Sequence, residues 1–282
     1  MLSLAGIIED VLGRSERLRL MAAEIISTRI QEQINIALDR LMLDQGAELL
    51  FAVESGSRAW GFASPDSDYD VRFVYKRRLR DYVRVYEGRD VIEAPISGDL
   101  DINGWDIVKA LTHFRKSNPS LLEWLHSPII YRSQGDFAEK LRSLAKQHFS
   151  PRRMTYHYLS MAKQNYRLSI ENKPEVSLKK YLYVLRPLAC IAWLEQNDSP
   201  PPTSIHETLA GIMLPDNVRM RLMELMERKR SIGELGTEPH DLLLDEYIDS
   251  AMLRVAETVS ALPDVEMEAH LMDEILWAEM GI

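Results

Sequence analysis

The chain has 282 residues, of which 46% are hydrophobic and 27% charged, with a formal net charge of -9. That length suits two domains of ordinary size, and the composition excludes a disordered chain. The acidity argues against a general nucleic-acid binder, because phosphate contacts need clustered Lys and Arg, and no apolar run approaches the roughly 18 residues needed to cross a bilayer.

The first 19 residues carry acids and lack a basic head with a long apolar centre, so no signal peptide is expected. Apolar residues at three- and four-residue spacing predict one long helix over 17–45, stopped by Gly46. ELLFAVE (48–54) and DVRFVYK (70–76) read as strands, and DVIEAPI (90–96) and GDLDINGW (98–105) as two more. Between the second and third lies a basic run, 76–89, with six Lys or Arg against two acids: a solvated loop or a local patch for a phosphate-bearing substrate. Asp106 can cap a helix over 107–116, which ends before Asn118-Pro119. A short helix with Leu121, Leu122, Trp124 and Leu125 follows, then a strand-like PIIYR.

From about residue 136 nothing alternates. Helices are predicted over 136–148, 151–172, 177–197, 216–231, 241–262 and 265–279, with a Pro-rich linker at 197–202. The layout is an α+β domain over 1–135 and an all-helical domain over 136–282. The single cysteine, Cys190, sits among Leu188, Ala189, Ile191 and Ala192; it reads as a buried small hydrophobe and fits a reducing, cytoplasmic setting. Trp60, Trp105, Trp124 and Trp193 read as core. The seven histidines show no metal spacing, and the Arg152/His157 pair reads as a solvated helix face.

The chemistry concentrates in ESGSRAWGFASPDSDYDVRFVY, residues 54–75. Gly56 and Gly61 have P-loop spacing, but Phe62 and Ala63 stand where Lys and Ser/Thr are needed. Asp66, Asp68 and Asp70 begin like a calcium loop, but Val71 and Arg77 occupy the places of its Gly and Glu. A two-residue spacing at the start of a strand puts Asp68 and Asp70 on one face. Two carboxylates that close repel unless a cation joins them. A third acid on a neighbouring strand, Asp101 with Asp99 as second choice, would complete a two-Mg²⁺ site for phosphoryl or nucleotidyl transfer. The Gly56-Ser57 turn then offers backbone amides and a hydroxyl to phosphates, so a side chain at 56 is expected to obstruct nucleotide binding with little effect on stability.

Gly-Ser, a short helix, Asp-x-Asp and a distant third Asp resemble the DNA polymerase β nucleotidyltransferase superfamily. More narrowly, GSRAWGFASPDSDYDVRFVY, LDINGWDIVKAL, NPSLLEWLHSPIIY and KKYLYVLRPLA resemble the bacterial and phage family of RNA-ligase-associated, or RlaP-like, predicted nucleotidyltransferases. These patches run from about 50 to 200. The resemblance implies a polymerase-β-like palm, a mixed sheet with helices, followed by an all-helical partner domain. It implies Asp68, Asp70 and Asp101 as catalytic metal ligands for Mg²⁺ or Mn²⁺, and Gly56 and Ser57 as the phosphate grip. Arg72 shares parity with the acids and faces a phosphate or pairs with an acid. Lys179, Tyr183 and Arg186 lie at i, i+4 and i+7 on one helix face, as nucleotide ligands or as a surface stripe, with Lys180 the alternative to Lys179. The implied reaction moves a nucleoside monophosphate from an NTP to a hydroxyl acceptor, which is left open among an RNA end, a protein and a small molecule. The alternative is a nucleotide-binding or regulatory protein without turnover. No membrane partner is expected, and the oligomeric state is not legible.

Overall fold

The computed structural model describes residues 26–86, 88–95, 98–232 and 236–282. Helix α1 spans Thr28–Gln45, so within the described residues the predicted first helix starts at Thr28; residues 17–25 of that prediction lie outside them. The Ser27 hydroxyl accepts the Ile30 amide and sets this start. Gly46 ends the helix in the left-handed conformation, φ 58°. Ile34, Leu38 and Met42, at four-residue spacing, form its buried stripe.

Five strands follow: β1 (Glu48–Glu54), β2 (Tyr69–Lys76), β3 (Val91–Glu93), β4 (Leu100–Asp106) and β5 (Ile130–Ser133). Their order is β3-β4-β2-β1-β5, with β2 and β4 parallel and the other pairs antiparallel. Helix α2 (Gly56–Trp60) and an acidic loop connect β1 to β2; α3 (Ile107–Arg115) and α4 (Pro119–Leu125) connect β4 to β5. Asp106 caps α3 through the Val108 amide, as its sequence predicts.

The sheet is covered on both faces. Val71, Phe73, Tyr75 and Ile102 pack with α1 in one apolar cluster. Val74 and Trp105 take the other face, against the helices that follow. This second cluster runs from Leu50 to Ile275, so the helical region and the sheet share one core. Its helices are α5 (Phe137–Ala145), α6 (Pro151–Ser169), α7 (Leu178–Gln196), α8 (Ile205–Ala210), α9 (Asp216–Ile232), α10 (Leu242–Thr258) and α11 (Ala269–Met280). Helix α8 and a two-residue ladder, β6 (Val176–Ser177) with β7 (Thr237–Glu238), are additions to the predicted elements. Both are too short to show a period. Among the described residues no helix is long and apolar enough to cross a membrane. The architecture is that expected: a mixed five-stranded sheet with helices, and a helical region after it. Cys190 is buried, and burial pushes its thiol up to about 11.

Candidate functional site

Strand parity arranges the site. On β2 the odd residues Val71, Phe73 and Tyr75 face α1, so Asp70 and Arg72 face the helical region with Val74. On β4, Asp101 shares a face with Trp105, and its Cα is registered against that of Asp70. The Arg72 guanidinium closes the arrangement. Its Nη2 donates to Asp70 Oδ1 at 2.9 Å and to Asp101 Oδ2 at 2.7 Å, and its Nη1 to the Asp101 carbonyl at 2.9 Å. A cation therefore sits between two carboxylates from adjacent strands. Burial pushes the Asp70 carboxyl above its usual range; Arg72 opposes the rise, and Asp101 and Asp68 add to it. Among the described residues no group of three acids, histidines or cysteines is drawn together with the geometry of a metal site. Arg72 occupies the space between two of the three predicted ligands.

Asp68 stands one residue before β2, exposed, with its backbone fixed from α2. Arg58 donates through Nε to the Asp68 carbonyl at 3.1 Å and through Nη2 to the Ser67 carbonyl at 2.5 Å, and its guanidinium lies 3.9 Å from the Tyr69 ring centre. Ser64 and Ser67 bond to each other at the loop's base. Asp99, the second choice for the third acid, lies in a turn before β4, where its carbonyl accepts the Tyr69 amide.

Gly56 has φ 60°, and a Cβ there would lie 1.9 Å from Asp70 Oδ2. Its missing side chain makes room for the Asp70 carboxylate, which corrects the expectation that substitution would spare stability. A second support lies beneath. Glu54, fully buried at the end of β1, accepts the Asp70 amide at 2.9 Å through Oε1 and the Tyr131 hydroxyl through Oε2. Burial pushes its carboxyl up to about 7, against the pull of those two donors.

Together these elements form an open polar cleft of about 120 Å³ lined by Ser57, Ser64, Asp66, Ser67, Asp68, Asp70, Lys179, Tyr183 and Lys229. Of the predicted residues, Ser57, Asp68, Asp70, Lys179 and Tyr183 meet there; Asp101 and Arg72 adjoin it through Asp70, and Gly56 backs Asp70. Burial raises the Tyr183 hydroxyl above its usual range, with Asp70 and Asp68 adding to the rise and Lys179 opposing it. Lys180 lies 5.5 Å from the Tyr183 ring and outside the lining.

Arg186 is placed elsewhere. It is 3% exposed, donates to Glu123 Oε1 at 2.9 Å and to the Thr203 carbonyl, and stacks 4.3 Å from the Trp60 ring centre. It shares the helix face of Lys179 and Tyr183 but sits deeper, two turns and roughly 10 Å along α7 from Lys179. There it anchors α2 through Trp60, whose Nε1 also donates to Glu123.

The basic run 76–89 leaves the far end of β2, roughly 20 Å along the strand from Asp70, and several of its cations are paired: Lys76 with Glu279, Arg84 with Asp81 and Arg89 with Glu93. A larger groove of about 720 Å³ between α6 and α10, lined by Tyr156, Lys163, Arg167 and Met252 among others, holds none of the predicted residues. Sequence reasoning missed Arg58, Glu54 and Lys229. The first two flank the Gly-Ser motif and could have been found there; Lys229 joins the cleft from a helix that carries no local signal.

With this geometry in place, the comparisons with known proteins decide the family. Residues 30–277 match the family described as RlaP: RNA repair pathway DNA polymerase beta family. The chain belongs to that family. It is also 40% identical over 233 residues, 83% of this chain and 89% of the other, to the uncharacterized protein YcgL of Bacillus subtilis. A solved nucleotidyltransferase-like protein from Exiguobacterium sibiricum is 12% identical, with 82% of this chain and 75% of the other covered and a TM-score of 0.31. By the family match, the chain is a member of a DNA polymerase beta family.

Proposed function

We propose that the protein transfers a nucleoside monophosphate from an NTP to a hydroxyl acceptor, and that Asp68, Asp70 and Asp101 carry the reaction. The observation behind this reading is the Arg72 guanidinium seated between Asp70 and Asp101: two carboxylates on adjacent strands already hold one cation at the cleft. Oxygen donors of this kind suit Mg²⁺ or Mn²⁺. Divalent metal held by Asp68, Asp70 and Asp101 would neutralise the phosphates and make the acceptor hydroxyl more acidic.

The acceptor oxygen attacks the α-phosphorus, the bond from that phosphorus to the bridging oxygen of the β-phosphate breaks, and pyrophosphate leaves. The hydroxyl proton passes to the Asp101 carboxylate and then to solvent. Gly56 leaves Asp70 its place, Glu54 holds the Asp70 backbone, and Arg58 holds that of Asp68. Ser57 donates to a phosphate oxygen. Arg72, once it releases the carboxylates, is left beside the reacting phosphate. The family's name favours an RNA end as the first acceptor to test, before protein hydroxyls and small molecules. A cytoplasmic location agrees with a single, buried cysteine, Cys190, which leaves no intramolecular disulfide to form.

A second reading, nucleotide binding without turnover, draws on the same Arg72, which would stay between the acids. Pyrophosphate release from each NTP with Mg²⁺ or Mn²⁺ and an RNA acceptor separates the two. Turnover that falls roughly 10²–10³-fold in Asp70→Asn, the loss typical of removing one preorganised electrostatic group, supports transfer. Nucleotide binding with no pyrophosphate from any acceptor sinks it.

A further inference from the structure

Lys229 lies on α9, far from every motif in the sequence. Lysine is almost never fully buried unless it is paired; Lys229 is 5% exposed and lines the same cleft as Asp66, Asp68 and Asp70. Its ammonium stands 4.9 Å from the Phe62 ring centre and 6.0 Å from that of Tyr183, so two aromatic faces hold the cation in place. Lys179 joins it from α7. The cleft is therefore polarised by origin: the sheet and its loop contribute the acids, and the helical region contributes the lysines.

We propose that Lys179 and Lys229 form a clamp for the β- and γ-phosphates of a nucleoside triphosphate, so that the helical region holds the pyrophosphate leaving group. This rests on the nucleotidyl-transfer reading and deepens it. Carboxylates alone repel a nucleotide, and a triphosphate carries its charge along a chain that needs cations at its far end. The cleft, at about 120 Å³, is smaller than the roughly 300–1,000 Å³ of pockets that enclose a drug-sized ligand. It suits a phosphate chain, with the nucleoside outside. Lysine ammoniums are point charges that follow a phosphate chain without demanding a planar fork. The same clamp steadies pyrophosphate as its bond to the α-phosphorus breaks, which makes the site specific for triphosphates over monophosphates.

Titration calorimetry with Mg²⁺ tests the clamp on three probes: an α,β-methylene nucleoside triphosphate, the matching monophosphate and inorganic pyrophosphate. Lys229→Met is expected to bind the triphosphate and pyrophosphate about tenfold or more weakly, the worth of a charge-assisted hydrogen bond, and the monophosphate within about twofold of wild type. Lys179→Met should behave alike, and Lys229→Arg should recover most of the loss. A Lys229 that only balances the cleft's acids would shift melting and all three probes together, and that result overturns the clamp. So does wild-type affinity for the triphosphate and pyrophosphate in folded Lys229→Met. Wild-type protein that binds pyrophosphate but no nucleotide would sink the nucleotidyl-transfer reading and leave the lysine pair standing. Binding of none of the three would remove both.

Discussion

Two arginine–carboxylate pairs in this molecule have the same length and opposite settings. Arg72 meets Asp70 at 2.9 Å with side chains 19% and 28% exposed; Arg186 meets Glu123 at 2.9 Å with side chains 3% and 9% exposed. Glu123 is saturated: Tyr158, Arg186 and Trp60 all donate to its carboxylate, and Thr203 to its carbonyl. Asp70 has Arg72 and an open cleft. Pair geometry therefore does not assign a role; the remaining hydrogen-bonding capacity of the carboxylate does. The saturated pair binds α2, α4, α6 and α7 to one another, while the open pair keeps oxygens that another cation can take.

The largest effect should come from breaking the closed pair. Glu123→Ala leaves the Arg186 charge buried and uncompensated, which costs about 3–5 kcal/mol, and it frees Trp60 and Tyr158 as well. Asp70→Asn should cost about 1 kcal/mol or less, because a part-exposed pair is screened by solvent. Denaturant melts of both variants measure the contrast. Equal losses would mean that the two pairs do the same structural job.

A smaller effect joins stability to the site. Gly56→Val puts a branched side chain at φ 60° and against Asp70 Oδ2. Strain of about 1–3 kcal/mol and displacement of the carboxylate should appear together, as a lower melting temperature and lost turnover. Unchanged melting with lost nucleotide binding would restore the view that the glycine serves only an approaching phosphate.

The two pairs also mark what the sequence makes legible. Parity brings Asp70, Asp101 and Arg72 together, because on a strand a two-residue step fixes direction, and motif spacing leaves Asp68 beside Asp70 on the cleft. Helical spacing assigns Lys179, Tyr183 and Arg186 to one face correctly, but it carries no information about depth, and Arg186 passes beyond the cleft to Glu123. Glu123 gives no sign in NPSLLEWL of its four partners, which come from residues 60, 158, 186 and 203. Lys229 is hidden for the same reason: its place depends on how α9 packs across α7, not on its neighbours in the chain.

Glu54 is a third case, a buried carboxylate with hydrogen-bond donors and no bridging arginine, and it gives the most specific prediction, one that appears only as a function of pH. Burial lifts its carboxyl from 4.5 to about 7, and the Tyr131 hydroxyl and Asp70 amide only partly oppose this. Between those values the unfolded chain has lost the proton and the folded chain still holds it. Stability is therefore highest below about pH 4.5, falls as pH rises towards 7, and is level above. Glu54→Gln keeps the acceptor for the Asp70 amide and removes the titration. At pH 5 the variant should be as stable as wild type or slightly less, since its amide is a poorer partner for the Tyr131 hydroxyl. By pH 8 it should have gained on the order of 2–3 kcal/mol relative to wild type. Denaturant melts at the two pH values give the difference directly. A gap between variant and wild type that does not change with pH would mean that Glu54 is already ionised at pH 5, and that Tyr131 and the Asp70 amide hold it as firmly as Arg186 holds Glu123.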